Sequence, residues 1–336
     1  MSESVGNILE LLTTGRPLSD EQASFMFDEL MAGRLEPAQA GAFFMGLRCK
    51  GEDSTDLAAG VRAGLANAVK IPGVTDANPF PMIDTCGTGG DGQMSFNCST
   101  AVALFLADMG YKVVKHGNRA ASSSTGSADA LEALGVPLDV KPEDVLAHLE
   151  RDNFIFLFAA AYHPAFRYIM PVRKALAMRT IFNFMGPLLN PARPSHQLVG
   201  VGDPDKLMVM GETLLLLHVE RALIIHGAGG FDELTPFGPV RGYTIRDGLM
   251  EKIAIGPSRL GFREFSPDDV RVPDRERAVA VLRDILAGHG PEAMMQMTAL
   301  NLAASLWLMT DEPLKNCADI ARDKVHQGLT RGLPGA

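Results

Sequence analysis

The amino-acid sequence predicts an α/β protein in which a small all-helical domain precedes a larger α/β domain with a mostly parallel central sheet. Three observations predict it. Roughly the first 70 residues repeat apolar side chains at helical spacing. After a proline-containing break, short apolar runs alternate with helical stretches. The polar and glycine-rich loops then follow directly on those runs. Strands alternating with helices indicate a parallel sheet, and such sheets take their ligands beyond the carboxyl ends of the strands.

The elements follow in order. Ser19 and Gln22 stand at capping-box spacing ahead of Phe25, Phe27, Leu30 and Met31, which marks the start of a helix. Pro37 to Leu47, with Phe43, Phe44 and Leu47, and the alanine-rich run Asp56 to Val69 extend the helical part. Ile71 to Phe80 holds two prolines, a glycine and no helical period, so it reads as the hinge between segments. Beyond it, Met82-Ile83 runs into a glycine loop, Thr100 to Asp108 reads as a helix, and Tyr111 to Lys115 as a strand. Further strands are expected at Ile155 to Phe158, Leu198 to Val201 and Ala222 to Ile225, with a helix over Asp205 to Val219. The C-terminal third is the least informative, and no internal repeat or low-complexity tract is found.

Composition excludes several classes. At 336 residues, 46% hydrophobic and 21% charged, the chain is too apolar for disorder and long enough for a large core or two domains. Its 31 Lys+Arg against 40 Asp+Glu leave a net charge of -9, a poor match to a nucleic-acid backbone. The N-terminus has no basic residue before Arg16, unlike a secretory or transit segment. The apolar stretch Met294 to Met309 is short and broken by Gln296, Thr298, Asn301 and Ser305, unlike a membrane span. Cys49, Cys86, Cys98 and Cys317 show no metal or redox spacing, so free thiols and a cytoplasmic location are expected.

Four segments can carry chemistry. The loop Asp84-Thr85-Cys86-Gly87-Thr88-Gly89-Gly90-Asp91-Gly92 has glycines that let backbone N–H groups turn inward as an anion nest. It is neither a Walker A loop nor a dinucleotide fingerprint, and on spacing alone it is equally a glycine-rich turn. Asn97-Cys98-Ser99-Thr100 opens a helix; its hydroxyls read as N-cap residues, as an anion site at the helix N-terminus, or as both. The segment Lys115-His116-Gly117-Asn118-Arg119-Ala120-Ala121-Ser122-Ser123-Ser124-Thr125-Gly126-Ser127 gathers two cations, a histidine, an amide and five hydroxyls in 13 residues. A solvated loop is the plain alternative, but so many donors beside a glycine nest suit a diphosphate ester. Asp232-Glu233 is either surface charge or, beside a diphosphate, a holder of Mg²⁺. The basic helix Pro171 to Leu176 offers Arg173 either as exposed charge or as a fork for a carboxylate.

Together these segments resemble the anthranilate phosphoribosyltransferases, members of the nucleoside phosphorylase-like phosphoribosyltransferases. The resemblance covers most of the chain. It rests on GTGGDG at Gly87 to Gly92, NCST at Asn97 to Thr100, KHGNRAASS at Lys115 to Ser123, HPA at His163 to Ala165, PVRKAL at Pro171 to Leu176, RTIFNFMGPLLNPAR at Arg179 to Arg193, and the acidic pair.

The resemblance implies a helical domain over residues 1–72 that regains a segment at about 166–186, and an α/β domain over 73–165 and 187–336. It implies a homodimer through the helical domain, two Mg²⁺ per subunit, and transfer of a phosphoribosyl group from phosphoribosyl pyrophosphate to the amine of anthranilate, in tryptophan biosynthesis. Gly87, Gly90, Asp91, Ser95, Asn97, Cys98, Ser99, Thr100, the run Lys115 to Ser123 and Ser127 match positions that contact the phosphoribosyl donor. Ser99, Asp232 and Glu233 match the magnesium positions; Arg173, Gly87 and Asn118 match those receiving anthranilate. Lys115, Asp232, Glu233 and Arg173 are the expected catalytic set. His116 reads as structural or substrate-positioning, and Met178 and Phe182 as walls of the ring pocket. Ser124, Ala177 and Gln93-Met94 depart from the family pattern. A pyrimidine nucleoside phosphorylase of the same fold and a non-catalytic nucleic-acid-binding paralogue are the competing readings.

Overall fold

The computed structural model describes residues 4–119 and 126–335. Four helices open the chain: α1 (Val5–Thr13), α2 (Asp20–Met31), α3 (Pro37–Lys50) and α4 (Ser54–Ala66). The capping box read from the sequence is present: the Gln22 amide donates to Ser19 Oγ at 3.2 Å and the Ser19 amide to Gln22 Oε1 at 3.0 Å. Apolar stripes on these helices bury Met26, Phe27, Phe43, Phe44 and Leu47 against one another.

Past the turns of residues 71–80 lies a sheet of seven strands. They are β1 (Met82–Gly87), β2 (Lys112–Gly117), β3 (Phe154–Phe158), β4 (His196–Gly200), β5 (Arg221–His226), β6 (Val240–Arg246) and β7 (Leu249–Ile255). Their order is β3-β2-β1-β4-β5-β6-β7. The first five run parallel, whereas β6 and β7 form an antiparallel hairpin on β5. Sequence reasoning missed that hairpin. Its signal was Asp247-Gly248, both at positive φ (53° and 73°), the backbone that a tight two-residue turn requires.

Helices cover both faces. On one lie α5 (Cys98–Asp108), α6 (Ser127–Ala133), α12 (Arg275–Leu286), α13 (Glu292–Met309) and α14 (Leu314–Gln327). Nearly every residue of α13 is buried, so the stretch that was too polar for a membrane is the central helix of this core. The other face carries α7 (Val145–Asp152) near β3, and α11 (Leu207–Leu216) beside α4. The connection between β3 and β4 holds α8 (Ala159–Tyr162), α9 (Met170–Leu176) and α10 (Phe182–Met185) and lies against the helical part. There the Phe182 ring meets Phe44 edge-on at 5.3 Å, and Phe166 packs on Phe182 at 5.7 Å.

The topology positions the site. From β1 the chain winds outward through β2 to β3, then returns to β4 on the other side of β1. The crevice at such a reversal is where doubly wound sheets bind ligands. Here it opens between the ends of β1 and β4, where Gly87 is in register with Gly200.

Candidate active site

A cleft of about 1090 Å³ opens at this reversal and runs from the glycine loop to α9. Glycine is required at its floor: a Cβ on Gly87 would collide with the Asp232 carboxylate, and one on Gly200 with the Asp232 backbone. The loop itself turns through Gly89, Gly90 and Gly92 at φ 62°, 71° and 73°, which side chains strongly disfavour. The Gly89 amide donates to Asp232 Oδ2 at 2.8 Å, and the Thr88 amide to the Gly200 carbonyl at 2.9 Å. Nest and acidic pair are thus one construction.

The N-terminus of α5 faces the same space. Asn97 makes no side-chain cap bond there, and Thr100 Oγ1 is buried without a hydrogen-bond partner among the described residues. Ser99 and Thr100 therefore do not act as caps, and the free end of the helix dipole is directed at the cleft. The Cys98 side chain is wholly buried in the core and does not line the cleft.

Lys115, near the end of β2, is almost fully buried; its Nζ donates to the Thr85 carbonyl at 2.7 Å and to Ser99 Oγ at 3.2 Å. Burial lowers its pKa, and the nearby Asp84 opposes that. Asp84 accepts from Asn190 Nδ2 at 2.8 Å, and burial pushes its own pKa up to about 6. His116 is pushed down to about 3, chiefly by burial and then by His163, whose ring lies edge-on at 5.2 Å. A ring that is neutral and this hard to protonate suits positioning rather than proton transfer. Gly117, Asn118 and Ser127 line the cleft. Arg119 lines it too, but its guanidinium is held by Glu132 at 2.7 Å and Asp129 at 3.1 Å. Ala120, Ala121, Ser122, Ser123 and Ser124 lie outside the described residues.

The acidic pair has a third member. Ligand oxygens of Asp91, Asp232 and Glu233 all lie within 4.8 Å of one another. Asp91, read as a donor contact, thus joins the carboxylate cluster and stands off the cleft wall. Ser95, read as another such contact, donates its hydroxyl to Glu233 Oε1 at 2.8 Å. Burial, then the charge of Asp91, pushes Asp232 up to about 6; burial, then Asp232, raises Glu233. Glu233 Oε2 is buried with no donor among the described residues. Three mutually repelling carboxylates with an orphaned oxygen fit a hard divalent cation. Asn301 on α13, unassigned from the sequence, holds this group in place. Its Nδ2 donates to the Leu234 carbonyl at 2.7 Å, and its Oδ1 accepts the Leu234 amide at 3.0 Å.

At the opposite end stands Arg173, with its guanidinium 5.5 Å from the centre of the Phe182 ring and no carboxylate partner among the described residues. Burial lowers its pKa. Phe182, His163 and Phe166 line this end, whereas Met178 does not. The cleft therefore has a nest of donors with an acidic cluster at one end and an unpaired guanidinium among aromatic rings at the other.

Two family models match the chain: a glycosyl transferase helical bundle domain over residues 7–68 and a glycosyl transferase a/b domain over residues 80–331. Among curated proteins, the anthranilate phosphoribosyltransferase of Oleidesulfovibrio alaskensis is 52% identical over 322 residues, 96% of each chain. Among solved structures, anthranilate phosphoribosyltransferase from Thermus thermophilus superposes with a TM-score of 0.86 at 36% identity, covering 96% of this chain and 95% of that one. The Saccharomyces cerevisiae enzyme, solved with phosphoribosyl pyrophosphate and Mg, shares the fold with a TM-score of 0.84 at 22% identity over 96% and 94% of the two chains. By sequence over nearly its full length, and by fold, the chain belongs to the anthranilate phosphoribosyltransferase family.

Proposed function

We infer that this protein transfers the phosphoribosyl group of phosphoribosyl pyrophosphate to the amine of anthranilate, releasing N-(5-phosphoribosyl)anthranilate and pyrophosphate in tryptophan biosynthesis. The observation that carries the reading is the polarity of the single cleft. Its anion nest, helix N-terminus and Lys115 suit a diphosphate at one end, and unpaired Arg173 beside Phe182 suits an aromatic carboxylate at the other.

The chemistry follows from the charges. The bond from C1 to the pyrophosphate oxygen breaks, positive charge develops on the ribose, and the amine nitrogen closes on C1 before losing its proton. The task is to stabilise a departing anion, which fixed donors accomplish without reorganising. Lys115, the Gly90 amide of the glycine loop, and Asn97, Ser99 and Thr100 at the start of α5 supply those donors. Arg173, with Gly87 and Asn118, orients anthranilate, because a weakly basic amine gains more from position than from deprotonation. Asp91, Asp232 and Glu233, with Ser99, would hold Mg²⁺, two ions per subunit, which when bound neutralises charge on the diphosphate.

The remaining assignments rest on supporting features. Helical-domain boundaries of 1–72 with 166–186 agree with the packing of Phe182 on Phe44, the α/β domain being 73–165 and 187–336. A homodimer through the helical domain is the expected assembly, and Met45 and Tyr168 are exposed apolar side chains there. No described helix is long and apolar enough to cross a membrane. The reaction is tested by pyrophosphate release: one equivalent per anthranilate consumed, dependent on Mg²⁺, is expected. Phosphorolysis of thymidine in its place would assign the cleft to a nucleoside phosphorylase.

A further inference from the structure

Arg179 lies in the turn between α9 and α10, outside every role assigned above. It is exposed at the cleft wall, and its Nη2 donates to the Gly90 carbonyl at 2.6 Å. No carboxylate pairs with it among the described residues. The bond joins two segments 89 residues apart: the glycine loop at the sheet end and the stretch that carries Arg173 six residues upstream.

What this bond does follows from peptide geometry. In a trans peptide the carbonyl of one residue and the N–H of the next point in opposite directions. Holding the Gly90 carbonyl therefore fixes the plane of the whole Gly90–Asp91 peptide. The loop needs such a hold, because Gly89, Gly90 and Gly92 carry no side chain to restrict either hand of the backbone. On the sheet side the loop is anchored by the Thr88 amide on Gly200 and by the Gly89 amide on Asp232. Gly90 is anchored from the other wall by Arg179. A Cβ at Gly90 would stand 2.9 Å from Nη2, so the glycine also makes room for the guanidinium.

We propose that Arg179 is a positioning residue that keeps the peptide between Gly90 and Asp91 in one orientation, and so keeps the glycine loop in one conformation before substrate arrives. This rests on the reading of the glycine loop as the cradle of the phosphoribosyl donor. The test is calorimetric binding of phosphoribosyl pyrophosphate with Mg²⁺, without anthranilate, to the wild type, Arg179→Ala and Arg179→Lys. The alanine variant is expected to bind about tenfold more weakly, the cost of a charge-assisted bond. The lysine variant, which can still donate to the carbonyl, should recover most of that loss. The unfolding temperature without ligand should stay unchanged in both. Equal affinity in wild type and Arg179→Ala overturns the inference, as does a loss matched by a fall in unfolding temperature. Absence of binding by the wild type would instead reject the reading of the loop itself.

Discussion

Ala177 shows how far a single residue can be read in advance. The sequence marked it as a departure from the family pattern, and the structure gives the consequence: it ends α9 at φ 49°, ψ 32°, in the left-handed region. A side chain there costs about 1–2 kcal/mol, while glycine loses roughly 0.5–1 kcal/mol of chain entropy on folding. Ala177→Gly should therefore stabilise the protein by about 0.5 kcal/mol, read as a rise in the denaturant midpoint; a fall would contradict the strained cap. The same residue scale shows where sequence falls short. Lys115, Asp232 and Arg173 were legible because their types and motif neighbours announce them. Ser95 and Asp91 could be read only as members of a motif; that folding sets them against Glu233 no local pattern reveals.

The parallel strands were legible at the scale of elements because each is a short apolar run ending in a polar loop. The β6–β7 hairpin was not, since its partly exposed strands alternate weakly and mix charges such as Arg241, Glu251 and Lys252 with apolar residues. Helix α13 was recognised only as too polar for a membrane, because wholly buried helices have no polar face to give them a period. Its Asn301 acts over a sequence separation of 67 residues, which no local pattern reveals. Asn301→Ala would leave the Leu234 N–H and C=O without buried partners, at about 1–3 kcal/mol for each unsatisfied group. We expect a lower unfolding temperature together with a higher Mg²⁺ requirement for turnover. A variant that unfolds earlier yet needs no more Mg²⁺ would reduce Asn301 to a packing role.

Across the whole molecule, the charge distribution separates the cleft from the rest of the surface. Seven Lys and Arg (Arg48, Lys115, Arg119, Arg167, Arg173, Arg179, Lys206) line it against three acids (Asp203, Asp232, Glu233). The chain as a whole has the opposite balance, 31 basic against 40 acidic residues. The net charge is a poor match to a nucleic-acid backbone, but it could not show that folding gathers the cations into one concavity. Such a field draws in anionic substrates and is screened over about 8–10 Å at physiological salt. kcat/KM for both substrates should accordingly fall several-fold between about 20 mM and 300 mM salt, on the order expected for steered association. A flat salt profile would show that the basic walls act only after binding.

The central claim is that one cleft brings a Mg²⁺-dependent diphosphate end to an Arg173-dependent carboxylate end. The most direct measurement is the loss of anthranilate fluorescence with phosphoribosyl pyrophosphate and Mg²⁺ in the wild type, in Arg173→Ala, and in the double variant Asp232→Ala, Glu233→Ala. The account predicts rapid loss in the wild type. It predicts a KM for anthranilate raised by about tenfold or more in Arg173→Ala, as for losing one charged bond, and little turnover at any Mg²⁺ concentration in the double variant. Wild-type kinetics retained in both variants would contradict it.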